Sequence, residues 1–318
     1  MKTILNHVHD PYFNLALEEY VLKHMDCEED ILLLWVNAPS VIVGRNQVVY
    51  GEVNVEYCKK HDIPIIRRIS GGGTVYHDLG NLNFSIISKH YQDVLKNYQL
   101  FTQPVVDFLQ QMGVNASFSG KSDLVIGNDK FSGNAQMYHQ KKMLHHGTIL
   151  FETNLDTLSK VLKPKTKDIA SVAVDSNRSR VTNVHTHLKT STDIDVFKTA
   201  LLKYWLNTED IQSHMMTLTE ADLKAIEALK QEKYLSWGWN FGESPAFEIQ
   251  KTLGEHALKV SIKDGLIETL VLTTPILSLH FNQFYGSRFE KEAYEQKLNT
   301  IDVSLKKSLE PFTKTLFE

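Results

Sequence analysis

The segment Arg67 to Phe84, RRISGGGTVYHDLGNLNF, constrains the fold more than any other part of the chain. Ile63–Ile69 reads as a strand, Ser70-Gly71-Gly72-Gly73 interrupts it, and Val75-Tyr76 and Leu82–Ile87 resume the pattern. Three consecutive glycines weaken a strand, so they need a reason such as close approach of a ligand to the backbone. Arg67 and Arg68, directly before them, supply fixed positive charge suited to phosphate or carboxylate. A β-bulge with surface arginines explains the glycines alone equally well. Two phosphate motifs fail. In a G-x-G-x-x-G fingerprint Tyr76 would stand where the third glycine belongs, and a strand follows where a helix is required. Ser119-Gly120-Lys121-Ser122 looks like the end of a P-loop, but Asn115 holds the place of its first glycine and a strand follows.

The rest of the chain sets that segment in context. Its 318 residues suit two domains, on a prior of roughly 100–200 residues each. With 42% hydrophobic and 23% charged residues the composition is that of a folded protein, and a formal charge of −4 argues against a general nucleic-acid binder. Cys27 and Cys58 make neither a disulfide framework nor a zinc cluster, which points to a reducing compartment. Met1–Asp10 lacks the apolar core of a secretion signal, and the longest apolar run, Ile31–Val36, is too short to span a bilayer. The expectation is a cytoplasmic protein.

Asp10-Pro11 opens a helix over Phe13–Leu22, and Ile31–Val36 with Val41–Val43 read as a hairpin about Asn37-Ala38-Pro39. Phe101–Met112 is an amphipathic helix ending at Gly113. Leu124–Ile126 and Lys130–Phe131 flank the turn Gly127-Asn128-Asp129, followed by a strand over His145–Phe151 and a short helix over Leu155–Leu162. Lys163–Asn183 is polar and basic. Helices follow at Ile194–Leu206 and Glu220–Leu235. The stretch Ser236–Ala246, rich in Gly, Ser and Pro, marks a boundary between residues 1–242 and 243–318. Beyond it Phe247–Leu253, Ala257–Lys263 and Leu266–Thr273 form an antiparallel meander covered by a helix over Arg288–Leu309.

Two further constellations carry chemistry. Lys130 follows a tight turn and precedes Ser132-Gly133-Asn134-Ala135; it is either an ordinary solvated lysine or one facing a glycine-lined pocket, where it would neutralise phosphate. His145 and His146 are adjacent on a strand and point to opposite faces, so they do not share a metal.

Taken together, the Arg67–Phe84 run, Asp129-Lys130-Phe131-Ser132-Gly133-Asn134-Ala135, His145-His146-Gly147-Thr148, Arg178-Ser179-Arg180-Val181 with Asn183, and Trp237-Gly238-Trp239-Asn240-Phe241-Gly242 with Ser244-Pro245 resemble the lipoate–protein ligases. The order of motifs matches over essentially the whole chain. The resemblance implies an α/β (α+β) protein: a mixed-sheet catalytic domain (1–242), similar to biotin ligases and class II aminoacyl-tRNA synthetases, with a small α+β accessory domain (243–318). It implies a reaction in which ATP and lipoate give lipoyl-AMP, and a lysine of a lipoyl-carrier protein then takes the lipoyl group. By resemblance Lys130 bridges the α-phosphate and the acyl carbonyl. Arg68, Gly73, Thr74, Val75, Tyr76, Asn81 and Asp123 attend the nucleotide. Arg67, Gly71, Gly72 and His146 attend lipoate, and Arg178 and Arg180 belong to a loop over the adenylate. Mg²⁺ is implied with ATP, and the partners implied are an E2 lipoyl domain or the glycine-cleavage H protein, with the ligase itself a monomer that engages neither nucleic acid nor membrane.

One departure stands out. The family loop usually carries a Lys-Gly pair after a serine, whereas here Ser171 is followed by Val172-Ala173. Slower or more selective activity is the expected consequence. Two other readings compete: an ATP-independent acyltransferase of the same fold using a cysteine thioester, and a lipoate-binding paralogue without catalysis.

Overall fold

A strand buried along its whole length organises the molecule. The computed structural model describes residues 1–26, 28–89, 97–163, 168–173 and 179–317. Strand β1 (Lys2–Leu5) is joined through helix α1 (Pro11–Lys23) to its parallel neighbour β2 (Ile31–Val36). Asp10 caps α1, its carboxylate accepting from the Tyr12 N–H at 2.9 Å, and Pro11 follows where no helical N–H partner is needed. All six residues of β2 are buried because helices cover both sides of the sheet. Leu32, Leu34 and Val36 face one core, and Ile31, Leu33 and Trp35 face another. Each large apolar side chain so removed from water contributes about 1.5–3 kcal/mol.

The chain then leaves that sheet. Strand β3 (Ser40–Val43), short helices α2 (Val49–Glu52) and α3 (Val55–Lys60), β4 (Ile65–Arg67) and β5 (Val75–His77) follow, and the three strands form a separate sheet of order β4-β3-β5. The expected hairpin between Ile31–Val36 and Val41–Val43 is therefore absent. Both edges of β2 are taken by other strands, and Asn37 is buried in a corner, bonded to Asn14 and His77. Long-range amide contacts, not the local turn-like string, decide the path.

Strand β6 (Asn81–Ser88) returns to the large sheet, which is completed by α4 (Tyr98–Gln111), β7 (Ala116–Phe118), β8 (Asp123–Ile126), β9 (Asp129–His139) and β10 (Lys142–Leu150). Its order is β1-β2-β6-β10-β9-β8-β7, mixed in direction. Helix α5 (Leu155–Val161), strand β11 (Ile169–Ser171), α6 (Ile194–Leu206) and α7 (Glu220–Leu229) come next. Helices α4 and α6 close one face of the large sheet; α1 and α7 close the other.

The C-terminal sheet, order β11-β12-β13-β14-β15, contains β12 (Phe247–Leu253), β13 (His256–Lys263), β14 (Leu266–Thr273) and β15 (Ser278–His280). Helices α8 (Lys291–Leu298) and α9 (Val303–Phe317) cover it in place of one expected helix. Two features cut across residue 242. Strand β11 pairs antiparallel with β12, and Val48 and Tyr50 pack into the C-terminal core. The segment Ser236–Ala246 is not a loose linker either. It winds into wide helical turns, with the Glu243 N–H donating to the Gly238 carbonyl at 2.9 Å and Asn240 buried.

Candidate active site

A cavity of about 540 Å³ opens on the α1 side of the large sheet. At one end it is lined by Leu15 of α1, Trp35 of β2 and Ile42 of β3, with His77 and Val75 of β5. At the other stand Ser119, Lys121, Ser122 and Asp123, with Lys130 and Asn134 of β9. Arg68, Gly72, Gly73, Thr74, His146, Gly147 and Thr148 also line it. The arrangement suits a ligand with an apolar tail and an anionic head.

Arg68 shapes the glycine loop from within. Its Nη2 donates to the Gly71 and Gly73 carbonyls at 2.6 and 2.8 Å, its Nε to Ser70 Oγ at 2.9 Å, and its Nη1 to the Ile42 carbonyl at 3.2 Å. Burial draws its pKa down to about 10, opposed by Glu18. Gly72 has φ +90°, and a Cβ there would come within 2.9 Å of Arg68 Nη2, so a side chain is excluded on both counts. Ser70 Oγ lies 2.6 Å from His146 Nε2, and His146 Nδ1 lies 2.8 Å from Glu18 Oε1, which also accepts from Ser85 Oγ at 2.6 Å. The loop is thereby tied to the sheet through buried polar groups. Strand β5 lies at the edge of its sheet and is paired on its other side with β3 through Val75–His77.

Lys130 is aimed by a bulge. The β8–β9 register shifts between Leu124 and Val125, which breaks the alternation of side chains along β9. The ammonium consequently sits over Gly133, where a Cβ would approach it to 2.9 Å, and pairs with Asp123 Oδ1 at 3.0 Å. The Lys130 N–H donates to the Arg180 carbonyl and its carbonyl accepts from the Thr182 N–H, both at 2.9 Å. The Lys130 backbone is clamped by the end of the basic segment, while its side chain stays a quarter exposed.

Arg68, Gly72, Gly73, Thr74, Val75, Asp123, Lys130 and His146 thus come together. Others expected at the site do not. Arg67 is fully buried and turned away; its guanidinium donates to the carbonyls of Gly44, Arg45, Gln47, Trp239 and Asn240 and to Ser244 Oγ, fastening β4 to the 236–246 segment. The side chain of Tyr76 belongs to a separate apolar core, where burial pushes its pKa up to about 12. Asn81 acts at one remove, donating to Asn83 Oδ1 at 3.0 Å, and Asn83 lines the cavity. Gly71 contributes its carbonyl to Arg68 and lies off the cavity wall. Arg180 is exposed and pairs with Asp129 at 2.6 Å, and Arg178 lies outside the described residues. Cys58 is buried away from the cavity, its thiol pushed up to about 12 by burial, so it is no thiolate nucleophile; Cys27 lies outside the described residues.

Cavity residues for which no role was expected include Leu15, Trp35, Ile42, His77, Asn83, Ser119, Lys121 and Ser122. Alternation along β5 contained a signal for one of them, since Val75 and His77 must share a face. His145 and His146 do take opposite faces: His145 is buried against Phe84 and Phe101, outside the cavity.

The lipoyl protein ligase A/B catalytic domain family matches residues 10–206. Lipoate-protein ligase LplJ of Bacillus subtilis is 41% identical over 284 residues, 88% of this chain and 83% of that protein. Lipoate–protein ligase 1 of Staphylococcus aureus is 40% identical over 267 residues, 83% of this chain and 81% of that protein. Among solved structures, a lipoate protein ligase from Thermoplasma acidophilum with bound lipoic acid superposes with a TM-score of 0.64 at 29% identity, covering 76% of this chain and 98% of that one. The structure of a bipartite ligase and its E2 lipoyl domain from the same organism gives 0.64 at 29%, covering 76% and 95%. A lipoate-protein ligase A bound with ATP gives 0.64 at 30%, covering 76% and 98%.

Proposed function

The chain belongs to the lipoyl protein ligase A/B family, and from that premise we propose that it joins lipoate to carrier proteins through a lipoyl-AMP intermediate, at the cavity described above. A single observation carries the reading: one continuous cavity joins an apolar end at Leu15, Trp35 and Ile42 to a charged end at Lys121, Asp123 and Lys130. The relatives bound to lipoic acid and to ATP support the same two substrates here.

In the first step a lipoate carboxylate oxygen attacks the α-phosphorus of ATP, and the bond to the β-phosphate breaks to release pyrophosphate. Most of the work is positioning and charge neutralisation. Lys130, steered by the bulge onto the Gly133 face, would stabilise both the α-phosphate and the acyl carbonyl. Thr74 and Val75 line the cavity, and the backbone of 73–76 would attend the nucleotide, while Arg68 keeps Gly71–Gly73 in shape. Asp123 is a carboxylate on the cavity wall, and one carboxylate together with substrate phosphates is a usual Mg²⁺ donor set. Mg²⁺ held there would neutralise phosphate charge. In the second step the carrier lysine amine attacks the acyl carbonyl, the bond to the phosphate oxygen breaks, AMP leaves and the amine loses a proton.

The carrier is an E2 lipoyl domain or the glycine-cleavage H protein; the E2 domain paired with the Thermoplasma ligase supports the former. Residues 1–242 would carry the chemistry and 243–318 the accessory role, with β11 reaching across. Ser171, at the end of β11, is held by β12, so the departure at Val172-Ala173 alters a loop anchored on the C-terminal sheet, consistent with slower or more selective transfer. The test is ATP–pyrophosphate exchange dependent on lipoate, followed by transfer to both carriers. A lipoate-binding protein without catalysis would show no exchange.

A further inference from the structure

The glycine loop is held by a succession of buried groups, and one of them stands behind the cavity rather than in it. Arg68 takes the Gly71 and Gly73 carbonyls. The β3–β5 ladder takes up the chain at Val75, opposite Ile42. Thr74 falls between the two. Its hydroxyl lies 2.7 Å from Gln47 Oε1, and the Gly44 N–H donates to the same oxygen at 3.3 Å. A backbone N–H facing the Gln47 amide fixes which end is the carbonyl. Thr74 is therefore the donor, and its one hydroxyl proton is committed to Gln47. Gln47 is 1% exposed and does not line the cavity, whereas Thr74 does.

The turn that carries Gln47 has little freedom of its own. The Arg67 guanidinium donates to the Gly44, Arg45 and Gln47 carbonyls at 3.0, 3.1 and 2.8 Å. The Arg45 N–H donates to the Ser70 carbonyl at 2.8 Å. A Cβ on Gly44 would come within 2.0 Å of the Gly72 carbonyl oxygen, so the turn packs directly against the glycine loop. A binding wall keeps its geometry when hydrogen bonds from a rigid support lock it from behind. We propose that Gln47 is a positioning residue for the nucleotide: acting through Thr74, it fixes the wall from Gly73 to Val75 against which ATP binds. The inference rests on the reading that this wall attends the nucleotide. Gln47 itself touches no substrate. The competing account has the Thr74 hydroxyl donate directly to a phosphate oxygen, in which case Gln47 would only divert it.

The experiment separates support from direct contact. Affinity for α,β-methylene ATP is measured by calorimetry on the full chain, and lipoate-dependent exchange supplies kcat and the KM for each substrate. Gln47→Met, similar in length but without the acceptor carbonyl, should weaken nucleotide binding and raise KM for ATP about fivefold, the scale of one net hydrogen bond. Both kcat and KM for lipoate should stay within about twofold, which a general loosening of the cavity would not allow. Thr74→Val removes the same bond from the other side and should cost about as much. The double variant should bind no worse than either single one, because both delete one interaction. The proposal is overturned if Gln47→Met leaves nucleotide affinity unchanged or improves it, if the two single effects multiply in the double variant, or if the wild type does not bind the analogue. Should Gln47→Met fail to fold, Gln47→Asn takes its place under the same expectations, since it keeps a polar amide but withdraws it by one methylene. Nucleotide binding that responds to Gln47 without any lipoate-dependent exchange would leave this inference standing and overturn the ligase reading.

Discussion

The two ends of the cavity are built on opposite principles. At the apolar end the polar side chains are mostly cross-bonded and buried: Arg68 to the glycine loop, His146 between Ser70 and Glu18, and His77 to an amide chain from Asn37 to Asn6. At the charged end Lys130 is a quarter exposed in an ion pair with Asp123, and Lys121 is exposed. On the proposed reading a substrate tail would meet a preformed mould, whereas the phosphates would meet groups that can regroup around them. One end is fixed by many bonds per residue, the other by few. Substitutions should divide accordingly, into those that change rate at constant stability and those that change stability first.

The largest effect is expected at the charged end. Lys130→Ala should lower kcat/KM for lipoate activation about 10²–10³-fold, the usual consequence of losing one preorganised electrostatic group. Its partly exposed pair with Asp123 is worth only about 0–1 kcal/mol to folding. Exchange kinetics and a urea midpoint on the same sample check both halves. A variant retaining a tenth of the activity, or unfolding several kcal/mol more easily, would break the contrast.

Arg67 tests the frame behind the apolar end. Arg67→Met removes a guanidinium bonded to five carbonyls and one hydroxyl, leaving buried acceptors unpaired at about 1–3 kcal/mol each before relaxation. A loss of about 3 kcal/mol or more in urea is expected. KM for lipoate in the surviving folded fraction should stay within a few-fold, because Arg67 does not line the cavity. A large rise in KM at modest cost in stability would return Arg67 to the binding site.

That pair of arginines also shows how far the sequence could be read. The run from Arg67 to Phe84 and the turn before Lys130 announce themselves because their chemistry needs local strings of glycine and charge. Within them, role followed from which way a side chain points. Neighbours on a strand face opposite ways, and Arg67 and Arg68 part at the end of β4 as Tyr76 and His77 do on β5. Leu15, Trp35 and Asn83 were not legible, since nothing in a buried apolar strand or helix says which of its core residues borders a void. Lys121 sits in a string correctly rejected as a P-loop, yet the fold carries it to the cavity by another route. The false hairpin at Asn37-Ala38-Pro39 has the same origin, a local turn signal overruled by contacts from Asn14 and His77.

The smallest effect concerns acid. Burial holds both His77 and His145 near a pKa of about 3, against about 6.5 in an unfolded chain. Between those values the unfolded chain binds protons that the native protein does not. Their contribution is thus fully present above pH 6.5 and is lost as pH falls toward 3. From pH 7.5 to 5.5, where most carboxylates stay ionised, each ring should cost about 1.4 kcal/mol. His145 stacks on Phe101 and Phe84 with centroids 5.1 and 6.0 Å away, and touches the cavity nowhere, so His145→Phe fits the aromatic surroundings and deletes one titration. Urea midpoints at the two pH values should show the variant losing about half as much stability as the wild type. Equal losses would mean that His145 is protonated in the native core, and that the neutral buried imidazole belongs to the cavity alone.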